Sequence, residues 1–251
     1  MRTDWNKVAK WYGEHLRHDD TFQSRLIFPR TLQLLNPIRD KLYLDIACGE
    51  GSFAQLLTEQ YHAKVVGFDL AAQLIQQAKR KRLQGATFQV GDAIHFPTNI
   101  LKQSFDGATC VLALQNIANY SVVIQQTAQI LKPQAPLVLV LNHPHFRPPK
   151  QSGWGFDEQR QLQYRRVDTY LSPYEVSLEA HPGKKHSVKT VSFHRPLQDY
   201  VQALTDVGLL IDAIEEWVSD RSSQPGARAR AENRARTEFP LFMAIRARKA
   251  S

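Results

Sequence analysis

Short apolar runs alternate with helical stripes along most of this chain. The runs cover residues 42–46, 64–69, 86–90, 104–112 and 137–141. The last is unbroken, as in a strand buried on both faces. Between the runs, apolar positions recur three and four apart: Phe53, Leu56, Leu57 and Tyr61, then Leu74, Ile75, Ala78 and Leu83, then Val123, Ile124, Thr127, Ala128 and Leu131. These stripes predict amphipathic helices. Ser121 is placed to cap the third and Lys132-Pro133 to end it. Strands alternating with helices predict an α/β fold with a parallel, doubly wound sheet.

The flanks are patterned differently. Trp5, Val8, Ala9, Tyr12 and Leu16 predict a short N-terminal helix, and a second helix follows over 26–35 with Pro29 near its start. After residue 142 the alternation stops. Residues 143–193 hold His143-Pro144-His145, Pro148-Pro149, Ser152-Gly153-Trp154-Gly155 and Tyr164-Arg165-Arg166. Within them, 167–171 and 188–193 read as two short strands that pair across a connection containing Pro182-Gly183. About fifty residues is too long for an ordinary connection and predicts an inserted cap. The cap leaves from the carboxyl end of the fifth strand and is expected over the site. The fold then resumes with a helix bearing Leu197, Tyr200, Val201 and Leu204, opened by Pro196 and ended by Gly208. Strands are predicted over 209–218 and 239–247, joined by a basic stretch, 219–236. The organisation predicted is one domain over 1–251: an N-terminal lid, 1–36; a cofactor-binding core, 37–142; a substrate cap, 143–193; and a closing helix and hairpin, 194–251.

The chemistry gathers at LYLDIACGEGSF, residues 42–53. A buried strand runs into a glycine turn and a helix start. Gly49 and Gly51 allow backbone to approach a ligand, and the helix N-terminus offers unpaired N–H groups. Asp45 is a carboxylate at the carboxyl end of an apolar run, costly unless something polar or cationic meets it. Two ligands suit such a turn: a dinucleotide, with its pyrophosphate on the helix N-terminus, or S-adenosylmethionine, with its sulfonium and ammonium. Asp45 favours the cation. Asp69 ends the second run about twenty residues past Gly49, where an acid meets ribose hydroxyls in nucleotide folds. It could also cap the helix that begins near Ala71, and the two roles can coexist. Asp92, in Gly91-Asp92-Ala93, follows the third run. Three acids at the ends of three successive parallel strands share one edge of the sheet, where ligands bind.

This ordered set resembles the class I S-adenosylmethionine-dependent methyltransferases, within the broad group that includes quinone-methylating and other small-molecule enzymes. Residues 42–53 resemble motif I, Asp/Glu-x-Gly-x-Gly-x-Gly, with Ala47 in place of the first glycine. The resemblance implies a seven-stranded Rossmann-like sheet whose last strand lies antiparallel between the fifth and sixth. It implies S-adenosylmethionine as cofactor, S-adenosylhomocysteine as product, and methyl transfer to an O, N or C atom of a small molecule. It places Asp45, Ala47, Gly49, Gly51, Asp69 and Leu70 on the cofactor, with Asp92 and Ala93 at the adenine. Leu112 and Leu114 are placed beside the methionine portion, and Tyr12 in a lid over it. Gln115, Asn142, Trp154, Tyr164, Arg165 and Arg166 are the implied acceptor-side residues, the last three suited to an acidic or phenolic acceptor.

If the acceptor must lose a proton, His143, His145 and His194 are the candidate bases. No His/Cys cluster suggests a metal. The chain has 251 residues, two cysteines in apolar runs and no apolar signal or membrane-spanning stretch, which points to a cytoplasmic protein. Its net charge of +8 and the arginines of 219–236 keep open an RNA methyltransferase or an RNA-binding partner with a silent cofactor fold. The spacing Gly49-x-Gly51-x-x-Ala54 and Asp69 keep open an NAD-dependent oxidoreductase.

Overall fold

The computed structural model describes Thr3, Trp5 and residues 20–179 and 189–251. Its centre is a seven-stranded sheet. The strands in chain order are β1 (Leu42–Ile46), β2 (Lys64–Asp69), β3 (Ala86–Val90), β4 (Gly107–Val111), β5 (Pro136–Asn142), β10 (Leu209–Trp217) and β11 (Phe242–Lys249), with β6 to β9 lying outside the sheet. Across the sheet the order is β10-β11-β5-β4-β1-β2-β3. The strands from β5 to β3 pair in parallel; β11 is antiparallel to both β5 and β10. The order reverses between β1 and β4, which opens a crevice at the carboxyl edge.

Helices cover both faces. They are α1 (Phe28–Leu35), α2 (Ser52–Tyr61), α3 (Ala72–Arg80), α4 (Thr98–Leu101), α5 (Tyr120–Ile130), α6 (Leu197–Thr205) and α7 (Ala229–Glu238). The side-chain period of two splits β5 between two cores. Leu137, Leu139 and Leu141 pack with α5 and α6, while Val138 and Val140 pack with α1 and α2. A strand apolar at every position is thereby buried on both sides, as its unbroken run requires.

Several boundaries differ from the sequence expectation. A π-helical turn, Gln23–Ile27, precedes α1, and Pro29 sits in the first turn of α1. Ser121 does not cap α5: the helix starts at Tyr120, its N-cap position is Asn119, and no side chain caps it. The predicted N-terminal helix, with Tyr12, lies outside the described residues. Trp5 packs on Ala71 and Leu74, and Thr3 Oγ1 accepts a hydrogen bond from the Val191 N–H at 2.6 Å.

The cap is two hairpins. Strands β6 (Ser152–Asp157) and β7 (Leu162–Val167) form one; β8 (Tyr174–Glu179) and β9 (Lys189–His194) form the other. The expected partner of 188–193 was therefore misplaced: β9 pairs with 174–179, and Val167 belongs to β7. Pro173 ends the run at 171, and Tyr174, Val176 and Leu178 supply the alternation that defines the true strand. Pro182 and Gly183 lie outside the described residues. In the basic connection, α7 is half-exposed, with Ala231 and Ala235 buried, and Arg228 pairs with Glu158 of the β6–β7 turn. No helix among the described residues is long and apolar enough to cross a membrane.

Candidate active site

The turn after β1 is built from left-handed residues. Ala47, Gly49 and Gly51 have φ of 54°, 57° and 80°. Ala47 therefore adopts the bend of the missing glycine, at a cost of about 1–2 kcal/mol for an L-residue. The turn is tied to β2. The Gly49 N–H donates to Asp69 Oδ2 at 3.0 Å, the Ala71 N–H to Oδ1 at 2.8 Å, and the Cys48 N–H to the Phe68 carbonyl at 3.0 Å. Burial raises the Asp69 pKa, and the two N–H groups oppose it. Asp45 is 2% exposed. Its Oδ1 accepts from Thr109 Oγ1 at 3.1 Å, and its Oδ2 is buried with no partner. Burial pushes this carboxyl up to about 7. It faces a narrow cavity of about 40 Å³ behind the turn.

A larger cavity of about 560 Å³ opens at the carboxyl edge of the sheet, in the size range of small-ligand sites. Of the predicted cofactor residues, Ala47, Gly49, Asp69, Leu70, Asp92, Ala93 and Leu112 line it. Gln115 and Asn142 line its far side. The Gln115 Nε2 donates to the Leu112 carbonyl at 2.8 Å, and its Oε1 is buried without a partner. Both cavities share Ala47, Gly49, Val111 and Leu112 as walls.

Two expected cofactor residues lie elsewhere. A Cβ on Gly51 would meet Phe88 Cζ at 3.0 Å and Ala78 Cβ at 3.1 Å, so this glycine exists for packing behind the turn. Leu114 is fully buried in the core below α5 and does not reach the cavity. The roof was not anticipated: Leu178, Val191 and Phe193 of the β8–β9 hairpin, with Ile94 and Ile117 beside them. The strand alternation of 174–179 was the available signal.

Residues 44–139, the strands and turns that build this cavity, match a family described as a methyltransferase domain. The chain carries a methyltransferase domain. It is 30% identical over 112 residues to a demethylmenaquinone methyltransferase of Thermotoga maritima, covering 44% of this chain and 48% of that protein. It is 33% identical over 118 residues to the O-methyltransferase cnsE of Penicillium expansum, covering 44% and 42%. The matches thus span about half the length of these curated relatives. An S-adenosylmethionine-dependent methyltransferase from Mesorhizobium loti superposes with a TM-score of 0.71 at 24% identity, over 92% of this chain and 99% of that one. The shared architecture is the class I methyltransferase fold, with its closing antiparallel strand between the fifth and sixth of the sheet.

The three candidate histidines, all outside residues 44–139, are held by hydrogen bonds or ring packing. His143 is 4% exposed; its Nε2 meets Glu216 Oε1 at 2.6 Å, and its Nδ1 accepts from the N–H groups of His145 and Phe146 at 3.2 and 3.3 Å. With both nitrogens engaged and no cavity beside it, it is not placed to act as the base. His145 is exposed and packs on Phe146 and Tyr170, away from the cavities. His194 donates Nε2–H to the Tyr170 carbonyl at 2.6 Å and stacks on Tyr174. It lines a second cavity of about 280 Å³, reached through Gln115 and Asn142. Arg165 lines that cavity as well. Trp154, Tyr164 and Arg166 do not line these cavities. Trp154 packs edge-on against Phe239, Tyr164 covers Gly155, and Arg166 pairs with Asp168 at 2.9 Å. In a two-stranded hairpin alternate residues face opposite sides, so Arg165 and its neighbours cannot all face the site.

Proposed function

We propose that this chain is an S-adenosylmethionine-dependent methyltransferase acting on a small molecule. The observation that carries the reading is a set of acids at one sheet edge: buried Asp45 with an unpartnered oxygen, and buried Asp69 and half-buried Asp92 lining one cavity. A carboxyl raised to about 7 by burial lacks a counter-charge, and a cationic ligand beside the turn supplies one. The pyrophosphate of a dinucleotide would instead repel it. Each Asp69 oxygen already takes one backbone N–H and keeps a lone pair for a ribose hydroxyl. Asp92 and the Ala93 N–H are set to meet an adenine edge, between the apolar walls of Leu70 and Ile94.

When bound, the cofactor supplies a methyl group already activated on a sulfonium. The residues of this chain then have to align an acceptor in line with it and exclude water. Orientation of this kind contributes about 7–11 kcal/mol to the lowering of a barrier. Gln115, a lining residue held by its Nε2–H bond to the Leu112 carbonyl, is a polar group for that purpose. The titratable side chains lining the larger cavity, among the described residues, are Asp69, Asp92 and Glu179. The acceptor we read for this site is acidic or phenolic, in keeping with the arginines of the adjoining cavity.

Calorimetric titration with S-adenosylhomocysteine, with NAD as control, tests the reading. Micromolar binding of the first and none of the second is expected. Binding of NAD alone overturns it.

A further inference from the structure

The second cavity is lined by Arg147, Lys150, Arg165 and Arg195, and among the described residues no acidic one lines it. It is separated from the larger cavity only by shared walls, Gln115, Asn142, Leu178, Ser192 and Phe193. The arginines are not free surface groups. Arg147 donates to Asn142 Oδ1 at 3.1 Å and to the Leu241 carbonyl at 3.3 Å. Arg165 donates to the Phe146 carbonyl at 2.6 Å and to Ser152 Oγ at 2.8 Å. Arg195 is 6% exposed; its Nη2 donates to the carbonyls of Ile117 and Ala118 at 2.8 and 2.7 Å. The rings of Tyr120 and Phe193 lie 4.3 and 5.1 Å from its guanidinium carbon.

Every one of those partners is neutral. Among the described residues, none of the three guanidiniums forms a salt bridge with a carboxylate. Arg195 Nη1 is buried and unsatisfied; the Tyr200 hydroxyl lies near this guanidinium, but nothing reaches Nη1 in hydrogen-bonding geometry. Burial and the charge of Arg165 both push the Arg147 pKa down. Asp199 lies close enough to act on Tyr120, His194 and Tyr200 but pairs with none of the three guanidiniums. Buried like charges without a bonded counter-ion are costly, and an anion that takes their remaining N–H groups relieves the cost.

We infer that the second cavity is an anion subsite for the methyl acceptor: it takes a carboxylate or phosphate group, while the body of the molecule extends past Gln115 and Asn142 into the larger cavity. The roof of the larger cavity, Leu178, Val191 and Phe193, suits an apolar body. A cavity of about 280 Å³ admits one such group and not a polymer backbone. The inference rests on the methyltransferase reading for the word acceptor, but the anion site itself is testable alone.

The full chain, saturated with S-adenosylhomocysteine and also without it, is titrated with benzoate, phenyl phosphate and neutral benzamide. Both or one of the anions should bind at least tenfold more tightly than benzamide, and the tighter of the two identifies the group. Arg195→Gln should weaken anion binding at least tenfold, and Arg195→Lys should restore part of it. Because Arg195 also holds two carbonyls, a second variant is needed: Lys150→Glu, at an exposed position on the cavity wall, should weaken anion binding at least fivefold with an unchanged melting temperature. Failure of both anions to bind, equal binding of benzamide, or anion affinity within twofold of wild type in both Arg195→Gln and Lys150→Glu overturns the inference. So does a loss of S-adenosylhomocysteine affinity in Arg195→Gln without loss of anion affinity, which would assign the arginine to the cofactor's own carboxylate. If the wild type binds the anions but not S-adenosylhomocysteine, the subsite stands and the methyltransferase reading falls.

Discussion

The Gly49 N–H points at Asp69 Oδ2 from 3.0 Å, so the acid proposed for the ribose also holds the turn proposed for the cofactor. The other Asp69 oxygen holds the entry to α3 through the Ala71 N–H. A single side chain thus fixes the distance between the first two strand ends. Asp69→Ala would leave two buried N–H groups unpaired, at about 1–3 kcal/mol each. Asp69→Asn is the sharper variant, because it keeps one acceptor oxygen. It should weaken S-adenosylhomocysteine binding at least tenfold while costing less stability than Asp69→Ala. Calorimetry and urea unfolding on the two variants check this. Unchanged affinity in both refutes the ribose role.

Asp45 predicts a proton released on cofactor binding. Its carboxyl sits at about 7 in the free protein because of burial. A cation nearby lowers that value, so below about 7 binding must expel the proton and affinity rises with pH, levelling above it. Calorimetry at pH 6 in two buffers of different ionisation enthalpy measures the release. Asp45→Asn should abolish it. The same raised carboxyl makes stability of the free protein fall as pH rises from about 4 to 7, since the unfolded chain ionises first.

The histidines predict the opposite slope. Burial holds His143 below the ordinary value of 6.5, against the Glu216 carboxylate that raises it. Burial also lowers His194, against the Tyr170 carbonyl. The unfolded chain therefore takes up protons first as pH falls. Stability is retained above about 6.5 and lost as pH drops through the lower folded values, by up to about 1.4 kcal/mol per pH unit per group. His143→Gln should flatten this part of a urea-unfolding series between pH 7.5 and 5. An unchanged slope would show that His143 does not titrate as buried neutral imidazole.

Glycine requirements in the turn are opposite at two neighbouring positions. Ala47 pays for a φ of 54° with no packing reason against glycine, so Ala47→Gly should be stabilising or neutral, by up to about 1 kcal/mol after the added unfolded-chain entropy. Gly51 has a φ of 80° and Phe88 at its back, so Gly51→Ala should destabilise by about 2 kcal/mol or more. Denaturant midpoints decide both. A stable Gly51→Ala protein would show that Phe88 can withdraw.

The alternation of apolar runs and helical stripes determined the parallel strands of the sheet, to within a few residues at their ends, and the edge that carries Asp45, Asp69 and Asp92. That information is local: a strand buried on both faces must be apolar throughout, and a parallel crossover must bring every carboxyl end to one side. The closing strand came from the resemblance, and its antiparallel place between β5 and β10 is as expected. Only the tertiary structure decided which side chains face the cavities. Gly51 and Leu114 sit in the right motif but are turned into the core, a difference of orientation that spacing does not carry. His143 reads as a base by position, yet Glu216, 73 residues away, occupies its Nε2. Arg147, Arg165 and Arg195 lie far apart in the chain and come from a loop, the first hairpin and the residue after the second. Their meeting around one cavity depends on how the hairpins pack against the 114–116 turn and α7, which no local pattern encodes.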